Sequence, residues 1–179
     1  MEKIRLAIVG VGNCASSLIQ GIEYYRRHEG SEKLGLMHYD LEGYQPGDME
    51  VVAAFDVDKR KVGKPLCEAI FALPNCTRVI SSQVSNSKTT VQMGHVFDGI
   101  SSHMREYPDD QTFLLADEKP CDVEKVLRES GAEILMNYLP VGSEEATRFY
   151  VTCCLNTGVS LINCIPVFIA SSPEWGKRF

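Results

Sequence analysis

Two glycines near the start of the sequence are the first residues whose spacing suggests a chemical role. The apolar run Ile4–Val9 ends in Gly10 and Gly12, and a helical pattern begins immediately afterwards. Glycine lets the backbone turn tightly and lets a ligand approach it, while the start of a helix offers free N–H groups and a partial positive charge. Ala15 is small enough for helix and strand to pack closely. This arrangement favours a turn that binds the pyrophosphate of a dinucleotide, and a glycine-rich turn without a ligand is the alternative.

An acidic residue that follows the next apolar run is the second candidate. Residues 51–55 form a short continuous apolar segment, which is typical of a buried parallel strand, and Asp56 ends it. In a dinucleotide-binding fold, a carboxylate there accepts hydrogen bonds from the adenosine ribose and repels a 2′-phosphate, which favours NAD over NADP. The usual separation from the glycines is roughly twenty residues. It is more than double that here, and we attribute the excess to an insertion at about 28–50. An acid at an ordinary strand end is the alternative.

The elements that would carry these residues alternate between strands and helices. Helices are predicted over 14–27, 65–73 and 123–130, from Ser143 to Gly158, and from Ser172 onwards, and strands over 4–9, 51–56, 132–139 and 159–164. The serines at 143 and 172 are predicted to be helix N-caps. The polar stretches 28–50 and 81–94 are predicted to be loops. This alternation predicts an α/β fold, a Rossmann-like doubly wound parallel sheet, forming one NAD-binding domain over residues 1–179.

Short polar turns follow the predicted strands at one edge of such a sheet. They are residues 10–15, 56–58, 137–142 and 163–166. Ligands of open α/β sheets bind in a crevice outside the carboxyl ends of the strands. We therefore expect these turns to line one crevice that holds the cofactor.

Composition and charge argue against a nucleic-acid partner. The hydrophobic share of 44% and the charged share of 23% are those of an ordinary globular protein. The net charge of −6 argues against a protein that binds the phosphate backbone, because such binding relies on clustered lysine and arginine. The one notable basic cluster comprises Lys59, Arg60, Lys61 and Lys64. We expect this cluster to be a solvated helix face, with a small phosphate contact as the alternative.

The seven cysteines bear on the redox setting. They are odd in number and lack C-x-x-C spacing, so we predict neither a disulfide framework nor a metal site, and we expect most of them to be small core residues. No signal-peptide pattern is visible, and the longest apolar stretch, 159–170, is too short to span a bilayer. We expect a reduced, cytoplasmic setting without membrane contact.

Several segments taken together are more specific than the glycine turn. They are residues 7–18, 20–25, 35–38, 53–58, 138–146 and 166–171, with Asn163 between the last two. The strongest of them reads Tyr138-Leu139-Pro140-Val141-Gly142-Ser143-Glu144-Glu145-Ala146. In these segments the sequence closely resembles the bacterial and archaeal inositol-3-phosphate synthases, also called myo-inositol-1-phosphate synthases. The resemblance covers most of the chain and weakens through 81–122, and Asn13-Cys14 departs from the Asn-Asn-Gly of the eukaryotic branch.

The resemblance implies an NAD-dependent isomerase that converts glucose 6-phosphate to 1D-myo-inositol 3-phosphate. In this family NAD oxidises C5 of the sugar, an enolate closes the ring in an intramolecular aldol reaction, and the same NADH reduces C5 again. It also implies a cytoplasmic homotetramer that serves inositol and phospholipid biosynthesis. Because family members are much longer, we expect the catalytic and tetramerisation domain to lie C-terminal to Phe179. We accordingly expect this chain alone to bind NAD without completing the reaction.

The cofactor contacts of the family can be placed on matching positions of this sequence. The pyrophosphate turn falls on Gly10, Gly12, Asn13, Cys14 and Ala15, and the adenosine-ribose strand end on Asp56. The nicotinamide half is expected to pass over Asn137, Leu139, Pro140 and Val141. Tyr150 and Asn163 are its expected neighbours, with a packing role as the alternative.

Two other functions stay open at this point. A catalytically incomplete NAD-binding or NAD-sensing module would share the glycine turn and lack the catalytic half. An NAD-dependent dehydrogenase of the Gfo/Idh or homoserine-dehydrogenase type would also place a proline after its fourth or fifth strand. A lysine-rich continuation of the reading frame would favour the synthase, whereas net accumulation of NADH with a sugar or hydroxy acid would favour the dehydrogenase.

Overall fold

A parallel five-stranded sheet forms the centre of the computed structural model, which describes residues 3–28, 35–85, 88–99, 104 and 106–179. The strands are β1 (Ile4–Val9), β2 (Met49–Asp56), β3 (Val91–Met93), β4 (Ile134–Asn137) and β5 (Ser160–Asn163). Their order across the sheet is β3-β2-β1-β4-β5, and every neighbouring pair is parallel. Because the order reverses at β1, the carboxyl ends of β1, β2 and β4 meet at a switch point. The predicted α/β, doubly wound parallel sheet is confirmed.

Helices cover both faces of this sheet. They are α1 (Asn13–Arg27), α2 (Leu66–Ala69), α3 (Val123–Ser130), α4 (Glu144–Thr157) and α5 (Pro173–Gly176), with a short 3₁₀ helix at Pro46–Asp48. Successive residues of a strand point to opposite faces, so β1 contributes to two cores. Ala7 and Val9 pack with α3 and α4, whereas Leu6 and Ile8 pack with α1 and α2. This two-sided burial explains why the strands read as continuous apolar runs.

The predicted loop over 81–94 is wrong in its last residues, because they contain β3. This strand pairs with the end of β2, with Val91 opposite Ala54 and Met93 opposite Asp56. Three residues at the edge of a sheet are too few to show an alternating pattern. Only pairing with β2, which lies far away in sequence, identifies the segment as a strand.

The helix predicted over 65–73 is also wrong in its extent, since α2 ends at Ala69. The side-chain amide of Asn75 donates a 3.0 Å hydrogen bond to the Ile70 carbonyl, and so satisfies a group at the end of the helix. Pro74 lies just beyond, and the residue before a proline is disfavoured in helical geometry. The apolar residues continue at helical spacing beyond Ala69, although the helix ends there.

Of the expected insertion over 28–50, residue 28 and residues 35–50 are described, and Gly30 lies outside the described residues. Its last part is anchored to α1, because the Arg26 guanidinium donates to the carbonyls of Gly47 and Met49. Strand β2 starts at Met49, two residues before the predicted start. In the ranges given above, no helix combines the length and the apolar character that a membrane span requires.

The expectation that most cysteines are core residues is wrong. Cys153 and Cys154 are buried within α4, Cys67 and Cys121 are partly buried, and Cys14, Cys76 and Cys164 are exposed. None of these seven cysteines forms a disulfide. Of the three exposed residues, Cys14 lies in the first turn of α1, Cys76 in the segment after α2, and Cys164 directly after β5.

Candidate functional site

A cleft of about 520 Å³ lies outside the carboxyl ends of β1, β2 and β4. It draws lining residues from each of the predicted turns, including Gly12, Asp56, Leu139 and Cys164. Its volume is within the range of small-molecule sites, and its place at the switch point is where open α/β sheets bind ligands. A larger groove of about 880 Å³ lies at the amino ends of the strands, where no such convergence of turns occurs among the described residues.

The two glycines of the turn after β1 are explained by different features of the structure. Gly10 has φ +88°, and a Cβ there would lie 2.6 Å from the Tyr138 carbonyl oxygen. Gly10 is therefore required by the backbone conformation and by the close approach of the segment after β4. At Gly12, a Cβ would meet nothing within 4 Å. Gly12 faces open space at the cleft, so a ligand can approach the backbone closely there.

Helix α1 begins at this turn and presents its N-terminus to the cleft. Gly12 is the N-cap, and no side chain caps the helix there. The first helical hydrogen bond runs from the Ser16 N–H to the Gly12 carbonyl, at 3.0 Å. A first turn without a side-chain cap leaves N–H groups and the positive end of the helix dipole for an anion. Ala15 is completely buried, as close packing of helix and strand requires.

Asn13 has a structural contact in addition to its place in the cleft. Its side-chain oxygen accepts hydrogen bonds from the backbone N–H groups of Cys76 and Thr77, at 2.8 and 3.2 Å. The Thr77 hydroxyl also donates to it, at 2.9 Å. These bonds tie the segment after α2 to the start of α1, so the side-chain oxygen of Asn13 is already engaged within the protein.

Asp56 ends β2 and fixes the glycine turn. Its Oδ2 accepts a 2.7 Å hydrogen bond from the Val11 N–H, and its Oδ1 accepts from the N–H groups of Val57 and Asp58. A carboxylate offers about four lone-pair sites. Asp56 lines the cleft, so the remaining capacity of its oxygens is available to a ligand there.

The segment after β4 forms the other wall of the cleft. Leu139, Pro140 and Val141 line it, and Val141 is 76% exposed. Asn137 is completely buried, and its amide donates to Thr147 Oγ1 at 3.1 Å and to Asn163 Oδ1 at 2.9 Å. The two asparagines join the ends of β4 and β5 beneath this wall. Neither lines the cleft, which places them one layer below the predicted nicotinamide position.

Tyr150, from α4, forms part of the cleft floor. Its side chain is buried against Phe55, with ring centroids 5.8 Å apart, and its hydroxyl lies next to Gly94. Burial raises the pKa of the phenol, although the backbone N–H of His95 opposes the shift with a hydrogen bond. The phenol is therefore a neutral group at neutral pH.

The predicted N-cap role of Ser143 is wrong in its chemistry. Ser143 occupies the N-cap position of α4, but its side chain makes no capping hydrogen bond. The carboxylate of Asp98 caps the helix, accepting from the N–H groups of Glu145 at 2.7 Å and Ala146 at 3.1 Å. Although burial alone would raise the pKa of Asp98, these hydrogen bonds outweigh it and lower the pKa. Sequence spacing favoured Ser143 because a cap from a residue more than forty positions away leaves no local signal.

The basic cluster at 59–64 is not a solvated helix face, so that prediction is wrong. Its residues lie in turns, and Lys61 is only 3% exposed. The Arg60 guanidinium pairs with Asp58, whose side chain is completely buried. Burial alone would raise the pKa of Asp58, but hydrogen bonds from Arg60 and Leu114 outweigh it and lower the pKa. A run of basic residues gives no indication of which one folds inward.

No set of three or more His, Cys, Asp or Glu side chains in the described ranges is arranged to hold a metal ion. His95 lines the cleft, but its Nε2 lies 3.2 Å from the Cys121 carbonyl and its ring packs against Phe149. His103 lies outside the described residues.

A parallel sheet with a switch-point cleft, an open glycine turn and an uncapped helix start defines a Rossmann-like α/β fold. No family model matches the chain. Over 178 residues it is 50% identical to the inositol-3-phosphate synthase of Mycolicibacterium smegmatis, covering 99% of the chain and 47% of that protein. Over 177 residues it is 48% identical to the inositol-3-phosphate synthase of Corynebacterium glutamicum, with the same share of that protein covered. The resemblance found in the sequence is thus confirmed, and the chain is a homologue of the inositol-3-phosphate synthases. It spans about half the length of the curated relatives it matches.

Solved structures agree with this fold. The crystal structure of Ari2 superimposes with a TM-score of 0.81 at 32% identity, over 99% of the chain and 50% of Ari2. A myo-inositol-1-phosphate synthase-related protein from Thermotoga maritima gives a TM-score of 0.72 at 19% identity, over 99% of the chain and 52% of that protein. At that identity the second match supports the fold alone.

Proposed function

We propose that this chain is the dinucleotide-binding part of an inositol-3-phosphate synthase, an NAD-dependent enzyme that isomerises glucose 6-phosphate to 1D-myo-inositol 3-phosphate. The observation that carries the proposal is the open approach to Gly12 at the uncapped start of α1. A side chain is missing where a pyrophosphate would need space, and helix N–H groups lie where it would need donors. The residues present therefore fit NAD.

Roles for the cofactor-binding residues follow from their positions. Gly12 and the first turn of α1 are proposed to hold the pyrophosphate, and Asp56 the adenosine ribose. The wall Leu139–Val141 is proposed to lie against the nicotinamide half. Bound NAD would supply reversible hydride transfer. The chain's own contribution is to orient the cofactor on a backbone that Asp56 and Gly10 keep in one conformation.

The sugar chemistry is proposed to use residues in the part of the synthases that this chain does not match. Glucose 6-phosphate as substrate, assembly into a homotetramer and a cytoplasmic setting are proposals of the same kind. They rest on the resemblance to the inositol-3-phosphate synthases, and the chain covers 47% of the relatives that carry that name.

Calorimetric titration with NAD and NADP tests the cofactor assignment. We expect NAD to bind, and NADP to bind more weakly because its 2′-phosphate would meet the Asp56 carboxylate. Asp56→Asn keeps an oxygen acceptor for the Val11 N–H and removes the charge, so it should reduce the preference for NAD by roughly tenfold. Asp117→Ala, at an exposed position, is the matched control and should change neither affinity. Absence of NAD binding, or equal binding of both dinucleotides, would contradict the proposal.

A further inference from the structure

The backbone carbonyl of Val11, between the two glycines, is hydrogen-bonded to two side chains of the protein. It accepts a 2.8 Å hydrogen bond from the Lys61 ammonium and a 3.1 Å hydrogen bond from the Asn75 amide. Lys61 Nζ also donates to Asn75 Oδ1, at 2.9 Å. Each of the three groups is therefore hydrogen-bonded to the other two. Asn75 is itself fixed by its bond to the Ile70 carbonyl. We call Lys61 and Asn75 the turn clamp.

Lys61 is an unusual residue to find in this place. It is 3% exposed, and it is the only lysine or arginine among the described residues that line the cleft. A buried ammonium is costly unless hydrogen bonds compensate for its lost hydration. Burial lowers the pKa of Lys61, while the carboxylates of Asp56 and Asp58 oppose that shift and the Arg60 guanidinium adds to it. Packing alone would be served better by an apolar side chain.

The clamp determines where the next N–H group is directed. In a trans peptide the C=O and N–H bonds point in opposite directions. Because the Val11 carbonyl points to Lys61 and Asn75, the Gly12 N–H must point away from them. Hydrogen bonds from a charged donor are stronger than neutral ones, and bonds in a chain polarise each other. The ammonium therefore also strengthens the Gly12 N–H as a donor.

We propose that Lys61 is a positioning residue for the cofactor's pyrophosphate, which it serves by orienting and polarising the Val11–Gly12 peptide together with Asn75. The inference rests on the proposed function, because the pyrophosphate is that of the proposed NAD. Lys61 acts through the backbone and does not need to touch the cofactor. Its effect is confined to ligands that carry a pyrophosphate, which distinguishes it from a residue that only supports the fold.

The test compares ligands with and without the pyrophosphate on the same variants. Lys61→Met keeps an unbranched apolar chain and removes the ammonium. We expect it to weaken the binding of NAD and of ADP by roughly tenfold or more, measured by titration, and to leave the affinity for adenosine unchanged. Lys64→Met, at an exposed neighbouring lysine, is the control and should bind all three ligands as the wild type does.

A second variant and a pH series keep the inference testable if Lys61→Met folds poorly. Asn75→Ala removes the other half of the clamp and should produce a smaller loss, again for NAD and ADP but not for adenosine. In the wild type, NAD affinity should fall as the pH rises through the lowered pKa of Lys61, whereas the affinity for adenosine should not fall with it. Circular dichroism establishes that each variant is folded.

The outcomes separate this inference from the proposed function. If the wild type does not bind NAD, the proposed function fails and the inference fails with it. If the wild type binds NAD and both clamp variants bind it equally well, only the inference is overturned. An equal loss of NAD and adenosine binding in a folded variant would also overturn it, because the residue would then support the whole site.

Discussion

The two glycines after β1 should respond to the same substitution in opposite ways. Gly10→Ala places a methyl group 2.6 Å from the Tyr138 carbonyl oxygen, on a residue with φ +88°. Gly12→Ala places a methyl group where nothing lies within 4 Å, on a residue with φ −92°. Gly10→Ala should therefore lower the stability of the fold, whereas Gly12→Ala should weaken ligand binding in the cleft.

The expected magnitudes follow from these contacts. A left-handed conformation costs an L-residue about 1–2 kcal/mol, and forcing a methyl group against backbone costs about 1–3 kcal/mol more. Gly10→Ala should thus lower the free energy of unfolding by about 2–5 kcal/mol, or the Tm by roughly 4–20 °C for a chain of this size. Gly12→Ala should cost at most about 1 kcal/mol, which reflects the poor capping preference of alanine. It should weaken NAD binding by roughly tenfold, because its methyl group takes the space proposed for the pyrophosphate.

Thermal unfolding followed by circular dichroism, together with calorimetric titration, measures both effects on the same samples. The wild type and both variants should be compared at one pH and one ionic strength. Equal Tm values for Gly10→Ala and the wild type would refute the close approach to Tyr138. Undiminished NAD affinity in folded Gly12→Ala would refute the role assigned to the open face of the turn.

Two further predictions concern charge and thiol exposure. Arg60→Met leaves the buried Asp58 carboxylate unpaired, so urea unfolding at pH 7 should show a loss of about 3–5 kcal/mol. The folded-state pKa of Asp58 lies below its unfolded value, so its stabilising contribution is complete above about pH 4 and is lost as the pH falls. The gap between the two proteins should therefore narrow in acid, and a constant gap would contradict this account. Maleimide should label the exposed Cys14, with NAD protecting it, but not Cys154, whose pKa burial raises to about 12. Mass spectrometry measures the labelling rate of each thiol. Equal rates for the two thiols would contradict the packing of α4.

The parts of the fold that could be predicted from the sequence are those whose signals are local. The helix predicted over 14–27 is found at Asn13–Arg27, because glycines start it and apolar residues recur at helical spacing. Strand β2 ends at Asp56 and α3 spans 123–130, both as predicted, and α4 ends next to Gly158, where its end was predicted. In each case the residues that decide the structure lie within the element or next to it.

The errors arise where a distant neighbour decides the structure. Strand β3 forms only because β2 offers it a partner, and α4 is capped by Asp98 from a segment far away in sequence. The burial of Lys61 depends on Val11 and Asn75, which no spacing rule connects to it. These contacts have no local periodicity, so reading one sequence could not reveal them.

The candidate site, like the fold, has some features that could be predicted from the sequence and others that could not. The turns were predicted to converge at one edge, and they do, because parallel strands in a doubly wound sheet end on the same side. Which atoms face the cleft was not predictable. Asn137 and Asn163 are the last residues of β4 and β5, yet the Asn137 amide donates to Asn163 Oδ1 below the cleft wall. Their assignment as cofactor neighbours stays a prediction.

The most direct test of the central claim is an NMR titration of ¹⁵N-labelled protein with NAD. The claim is that NAD lies in the switch-point cleft with its pyrophosphate at the start of α1. The largest amide shift changes should then fall on Gly12, Asn13 and Cys14, with further changes at Asp56 and at the wall Leu139–Val141. Shift changes confined to the groove at the amino ends of the strands, around Met49 and Thr89, would contradict it, as would a spectrum that NAD leaves unchanged.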